Sequence, residues 1–257
     1  MIVLEINNLT MQFGGLTAVN RFDMEVNEGE IVGLIGPNGA GKTTIFNMIS
    51  GVYRPTGGKI LFMGEDITGS KPHQTVRNGI ARTFQQTILF NNFTVLDNML
   101  VGLYLDGRMG FLKSVLGTAS VRAKHRDLHE KAMEILSFSG LEGEADKPAS
   151  VLPHGQKRAL GVAIALAGYP KLLLLDEPMT GMNAQETQEM MDLIRKVRDD
   201  RGITSVIVEH NMKAVMGLCE RVVVLDYGDK LVEGTPQDVA ENPAVIEAYL
   251  GGPTNVV

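Results

Sequence analysis

Three glycines, Gly36, Gly39 and Gly41, precede Lys42, Thr43 and Thr44 in the stretch Gly36-Pro37-Asn38-Gly39-Ala40-Gly41-Lys42-Thr43-Thr44. These residue types at this spacing fit one chemistry, the holding of phosphate oxygens. Glycines let successive backbone N–H groups converge on an anion, and a helix that follows adds the partial positive charge of its N-terminus. A lysine at position 42 then reaches β- and γ-phosphates, and the Thr43 hydroxyl is suited to magnesium. A plain glycine-rich turn is the competing reading, and the flanks decide against it. The apolar run Ile31 to Ile35 comes before, and Ile45, Phe46, Met48 and Ile49 follow at helical spacing. Strand, loop, then helix is the context in which G-x-x-x-x-G-K-T binds a nucleoside triphosphate.

Further candidates stand at the ends of other apolar runs. Leu172 to Leu175 is followed by Asp176-Glu177-Pro178. Adjacent carboxylates at a sheet edge repel unless a cation or a chemical task keeps them there. Downstream of a phosphate loop, Asp176 is expected as the second magnesium partner and Glu177 as the general base for an attacking water. His210 closes the run Ile203 to Val208, and Gln85 closes Ile80 to Phe84. A lone histidine is more often structural, but carboxyl ends of strands are where α/β sheets bind ligands. His210 and Gln85 are uncharged near neutral pH and able to hold a water or a γ-phosphate oxygen. Gln85 is counted with Thr43 and Asp176 among the metal ligands. Phe13, ahead of Gly14-Gly15, suits either base stacking or core packing, and the residues alone favour the core.

These groups need a scaffold. Apolar positions at Val3, Leu4, Ile6, Met11 and Phe13 predict short strands, and Val19, Phe22, Met24 and Val26 another β segment. Further strands are expected over Lys59–Met63 and across the turn Asp226-Tyr227-Gly228-Asp229. Helices are predicted for Pro72–Asn78, Gln156–Ala167, Gln185–Arg201 and Ala244–Leu250. Residues 106–147 are charge-rich with helical spacing and read as a helical insertion, whose segment Arg122 to Lys131 is a solvated face. Short apolar runs alternating with helices give an α/β class with a mainly parallel sheet.

At 257 residues with 44% hydrophobic content, the chain fits one large domain, or one domain carrying a subdomain. No apolar run approaches the roughly 20 residues that cross a bilayer, and the opening MIVLEINNLT lacks signal-peptide features. A single cysteine, Cys219, excludes an intrachain disulfide framework and suits the cytosol. It lies in an apolar helical stretch and is expected to be a buried thiol. A net charge of −6 argues against nucleic acid as a partner of a broad basic surface.

The ordered motifs resemble the nucleotide-binding subunits of ATP-binding cassette (ABC) transporters over nearly the full length. Besides the phosphate loop, Arg82 to Gln85 is similar to the Q-loop, Leu172 to Pro178 to Walker B with its catalytic glutamate, and His210 to the switch histidine. Thr180 to Asn183 occupies the D-loop position, and Leu152 to Arg158 the signature position. The resemblance implies a P-loop NTPase core with an N-terminal antiparallel β portion, and a helical subdomain at about residues 87–165. It reverses the reading of Phe13, which becomes the aromatic on adenine. Against the family pattern LSGGQ, Pro153 stands for the serine and His154 for the first glycine, while Gly155 and Gln156 match. Asn183 replaces the common D-loop aspartate. His154 is expected to supply the contact that the serine hydroxyl would make.

The segments Phe13 to Asn20, Leu89 to Asn98 and Asn242 to Gly251 resemble the longer ATPase subunit of branched-chain amino-acid importers. That likeness implies ATP and Mg²⁺, and a homologous or identical ATPase partner whose site is completed by Pro153 to Gln156. It also implies transmembrane permease subunits met by Leu89, Phe90 and Phe93, an external solute-binding protein, and a peripheral place on the cytoplasmic face of the membrane. For the aromatics, ordinary core packing is an equal reading. The alternative is a soluble ABC-type ATPase acting on a ribosome or nucleic-acid complex, disfavoured by a single cassette without a sustained heptad pattern. A GTPase is disfavoured because Asn211-Met212-Lys213-Ala214 departs from the guanine reader N-K-x-D.

Overall fold

The computed structural model describes residues 1–83, 89–105 and 119–250. Gln85 therefore lies outside the described residues. The chain begins with two strands, β1 (Ile2–Phe13) and β2 (Leu16–Asn27), paired antiparallel and joined at Gly14-Gly15. With β4 (Gly57–Phe62) and β5 (Glu65–Asp66) they form a four-stranded sheet of order β2-β1-β4-β5. Where the sequence predicts short strands, β1 is one strand of 12 residues. Register shifts between β1 and β2 explain the difference. They carry the strand past places where the apolar alternation breaks.

The second sheet has six strands in the order β10-β9-β3-β8-β7-β6. They are β3 (Ile31–Ile35), β6 (Ile80–Thr83), β7 (Leu172–Asp176), β8 (Thr204–Val208), β9 (Arg221–Asp226) and β10 (Asp229–Gly234). All neighbours are parallel except β10, which returns from β9 through the expected turn. The central strands β3, β7 and β8 are buried along their whole length because both faces are covered, and successive side chains enter different cores. Ile31, Ile35, Leu173, Leu175 and Ile207 join one core with the helices. Val32, Leu34, Leu172, Leu174 and Val206 join the other, with the antiparallel sheet.

That second core also receives Ile45, Phe46 and Ile49 of α1 (Lys42–Ile49), the helix after the phosphate loop. The helix α2 (Pro72–Asn78) leads into β6. Between β6 and β7 come α3 (Val95–Leu105), α4 (Ala119–Phe138) and α5 (His154–Leu166). The helix α5 starts two residues before the predicted Gln156, because Pro153 at its N-cap holds extended backbone, φ −54 and ψ 159. α6 (Ala184–Arg201), α7 (Met212–Leu218), α8 (Pro236–Glu241) and α9 (Pro243–Leu250) complete the chain. Cys219 is buried as expected, though it caps α7 instead of continuing it. Its thiol packs where a Cβ on Gly33 would stand 3.1 Å away, and burial pushes its pKa up to about 12.

Candidate functional site

Parallel strands deliver their carboxyl ends to one edge of a sheet, and here β3, β7 and β8 are consecutive neighbours across it. Register aligns Leu34 with Val208, and Val208 with Asp176. The loop after β3, the carboxylates after β7 and His210 after β8 therefore meet.

The loop's shape depends on glycine at two positions. Gly36 has φ +149, and a Cβ there would stand 2.1 Å from the Leu225 carbonyl oxygen. Gly41, the N-cap of α1, has φ +107, and a Cβ would lie 2.6 Å from the Ala18 carbonyl oxygen. Any side chain would push the loop off the sheet. The Lys42 ammonium closes the loop on itself, donating to the carbonyls of Gly36 at 2.7 Å and Pro37 at 2.8 Å. Burial pushes its pKa down, opposed by the charges of Glu177 and Asp176. The first amides of α1 have no acceptor inside the helix, as at any helix start. They face a cavity of about 180 Å³ that gathers Asn38, Lys42, Thr43, Thr44, Glu177 and His210. Cavities of about 510 and 480 Å³ lie elsewhere, between α5 and α6 and between the loop and α9. They are larger but hold no comparable meeting of catalytic groups.

The cation that keeps Asp176 beside Glu177 is part of the protein. Arg82, at the end of β6, donates from Nη2 to Asp176 Oδ2 at 2.7 Å. The sequence reading places Arg82 in a motif without giving it this partner. Glu177 turns away into the cavity with φ +49, a left-handed conformation rare for a residue with a side chain. Its Oε1 lies 2.8 Å from His210 Nε2, and its Oε2 accepts from Thr180 Oγ1 at 3.2 Å. The pairing of the candidate base with the strand-end histidine, 33 positions apart, was not foreseen.

Glu209 was also missed. It is 2% exposed, and its carboxylate accepts from the backbone amides of Met179, at 2.8 Å, and His210, at 3.1 Å. It thereby ties the turn after Glu177 to the turn that presents His210, while the Glu177 amide bonds the Val208 carbonyl at 2.9 Å. Burial raises its pKa. A buried acidic residue next to a strand-end histidine was the available signal.

The remaining candidates stand apart from this cavity. Pro153, His154, Gly155 and Gln156 start α5 and contribute nothing to its lining. The Gly155 amide donates to Glu186 Oε1 at 3.2 Å, and Glu186 Oε2 accepts from the Asn183 amide at 3.0 Å. Asn183 itself is the N-cap of α6, its side chain accepting from Gln185 and Glu186. The His154 ring faces Gly181, so signature and D-loop positions are linked within one chain. Phe13 is 43% exposed at the tip of the β1–β2 hairpin, in a T-shaped pair with Tyr53 whose ring centres lie 5.4 Å apart. The core reading of Phe13 fails, because the ring is exposed.

Known proteins resemble this chain in sequence and fold. Residues 19–180 match the family model described as ABC transporter, and residues 230–254 the model described as branched-chain amino acid ATP-binding cassette transporter. The chain is 42% identical over 249 residues to the high-affinity branched-chain amino acid transport ATP-binding protein BraF of Pseudomonas aeruginosa. That match covers 97% of this chain and 98% of BraF. LivG of Escherichia coli, described in the same words, gives the same identity and coverage. Among solved structures, the ADP conformation of MJ1267, an ATP-binding cassette of an ABC transporter, has a TM-score of 0.87 at 30% identity. It covers 98% of this chain and 99% of its own.

Proposed function

The chain belongs to the ABC transporter family and is an ATP-hydrolysing cassette, and from that premise we propose that it powers import of branched-chain or closely related amino acids. The observation that carries the chemistry is the meeting of Lys42, Thr43, Glu177 and His210 on one cavity. The full-length likeness to BraF and LivG and the matched C-terminal segment support the solute class. They support a transporter and not the ribosome or nucleic-acid alternative.

Each residue has a task that follows from its position. The glycine-shaped loop and the α1 amides hold the phosphates, and Lys42 exchanges its two carbonyl partners for phosphate oxygens. Magnesium fits the donors present, since Thr43 and Asp176 bring a hydroxyl and a carboxylate, both hard oxygen ligands, to one strand edge. Such an ion supplies charge neutralisation at the β- and γ-phosphates. Gln85 is the third candidate ligand. Glu177 takes the proton of the attacking water. His210, donating from Nε2, fixes one oxygen of that carboxylate, and Thr180 the other. Phe13 offers its exposed ring to the adenine.

The signature residues Pro153 to Gln156 lie away from this chain's own cavity, which supports a second ATPase subunit facing it head-to-tail. Phe90 and Phe93 stack at 5.2 Å and are 51% and 46% exposed, so core packing does not account for them. Asn98 pins their loop, accepting from the Phe90 amide at 2.9 Å and donating to the Thr94 carbonyl at 2.9 Å. A rigid exposed aromatic pair suits a permease helix. No helix among the described residues is long and apolar enough to cross a membrane. The full-length likeness to importer ATP-binding proteins supports a peripheral place on the cytoplasmic face, held there by the permease, with an external solute-binding protein acting at a distance. The test is purification from detergent-solubilised membranes, identification of co-purifying permeases, and reconstitution in vesicles with the binding protein. ATP-driven uptake of leucine, isoleucine or valine is expected. Coupled uptake of an unrelated solute would overturn the solute class, and purification without hydrophobic partners would overturn the transporter role.

A further inference from the structure

Arg82 makes more contacts than a strand-end arginine needs. Its side chain is 8% exposed and faces Asp176, whose side chain is 5% exposed. While Nη2 donates to Asp176, Nη1 donates to Asn47 Oδ1 at 2.7 Å and to Ser50 Oγ at 3.1 Å. The guanidinium carbon lies 5.6 Å from the centre of the Phe46 ring. Phe46 and Asn47 belong to α1, and Ser50 is its C-cap. One planar fork therefore joins the helix of the phosphate loop to the carboxylate ending β7. The donors and acceptors agree. Ser50 gives its own hydrogen to the Phe46 carbonyl at 2.7 Å, leaving its lone pairs for the arginine.

We propose that Arg82 is a positioning residue for the Asp176 carboxylate, locking one oxygen so that the other is presented to the divalent cation of the bound nucleotide. The inference rests on the nucleotide and magnesium reading above. A carboxylate at the end of a strand turns about two side-chain torsions. A charge-assisted bond of 2.7 Å, itself braced on α1 by two acceptors, removes that freedom. The phosphate loop and the metal carboxylate then keep a fixed separation, because the same guanidinium touches the helix of one and the side chain of the other. Lysine is a poor substitute. An ammonium is a point charge that cannot reproduce the fork spanning both elements. Partners that orient metal ligands typically account for 10- to 100-fold in metal affinity.

The test uses the full chain, with Mn²⁺ as the probe and a non-hydrolysable ATP analogue bound. Free Mn²⁺ is followed by electron paramagnetic resonance, and nucleotide affinity is measured separately in EDTA. Arg82→Gln is expected to weaken Mn²⁺ binding by about tenfold or more, with metal-free nucleotide affinity unchanged. Arg82→Lys should restore part of the loss. Because Arg82→Gln leaves Asp176 buried without this cation and is liable to misfold, Asn47→Ala provides a second route. It keeps the ion pair and removes one brace, and a smaller loss of Mn²⁺ affinity in the same direction is expected. Unchanged or tighter Mn²⁺ binding in folded Arg82→Gln or Asn47→Ala would overturn the proposal. Equal losses with and without metal would reduce Arg82 to a structural strut. A wild-type chain that binds no nucleotide would instead sink the functional reading, and this inference with it.

Discussion

Two helix starts in this molecule occupy phosphate-binding positions in the sequence reading, and they differ in their surroundings. The start of α1 follows a buried strand, is shaped by Gly36 and Gly41, and carries Lys42 at its first position. Its amides face a cavity that already holds Glu177 and His210. The start of α5 follows Pro153, has no side-chain cap, and its Gly155 amide is held by Glu186. The same backbone physics serves both. The first start meets Lys42, Thr43, Glu177 and His210 of one chain on a single cavity. The second brings a single imidazole and a carboxylate that competes for its amide. The first is a site within one chain, and the second fits the proposal that it completes the site of a second ATPase subunit.

Four substitutions break or sharpen this contrast. Lys42→Ala should have the largest effect. It removes the charge placed for the phosphates and leaves the Gly36 and Pro37 carbonyls without their donor. Truncating a partner of a buried charged pair costs about 2–5 kcal/mol, so ATP affinity should collapse and hydrolysis with it. Fluorescence titration giving wild-type affinity would remove Lys42 from the site.

Glu177→Gln separates chemistry from binding at the first site. The amide cannot accept the proton, so phosphate release should fall by about 10²- to 10⁴-fold, which is about 3–5 kcal/mol. ATP affinity should hold, because the phosphate loop is untouched. With its natural partner the variant should accumulate as an ATP-bound dimer on size-exclusion chromatography. Near-normal phosphate release would strip Glu177 of its role, whereas slow release without association would leave the base and remove the dimer.

Phe13→Ala probes the base end of the same site. An exposed aromatic ring that stacks on adenine contributes about 1–3 kcal/mol, so ATP affinity should drop while thermal stability changes little. A loss of stability with unchanged affinity would mean that the ring serves only its contact with Tyr53.

His154→Ala acts at the start of α5 and should do least. If the imidazole makes one net hydrogen bond of about 1 kcal/mol, turnover in the assembled transporter should slow several-fold. ATP binding to the isolated subunit should be unaffected. Unchanged turnover would show that the α5 backbone suffices.

Much of the first site was legible because its determinants are local. The glycine spacing, the lysine and the flanking apolar runs lie within Ile31 to Ile49. The strand ends at Asp176 and His210 follow from runs of five residues that leave no polar face. Period and composition say which residues are buried, and burial on both faces implies parallel strands. The even division of alternate residues between two cores was implicit in that pattern. The missed strand continuity of β1 has a local cause too, since bulges interrupt alternation without ending a strand.

By itself, then, the sequence determined the phosphate loop, the strand-end carboxylates and the α/β class, because each depends on neighbours along the chain. Only the tertiary structure decided who partners whom. Arg82 meets Asp176 across 94 positions, Gly155 meets Glu186 across 31, and Glu209 holds Met179 across 30. Such pairs depend on which strands and helices lie side by side. The pairing of β6 with β7, with α3, α4 and α5 between them in the chain, is set by closure of the whole sheet. No period in the residues records that adjacency. The same holds for Glu177, whose left-handed backbone is imposed by its fixed neighbours and not by its own preference.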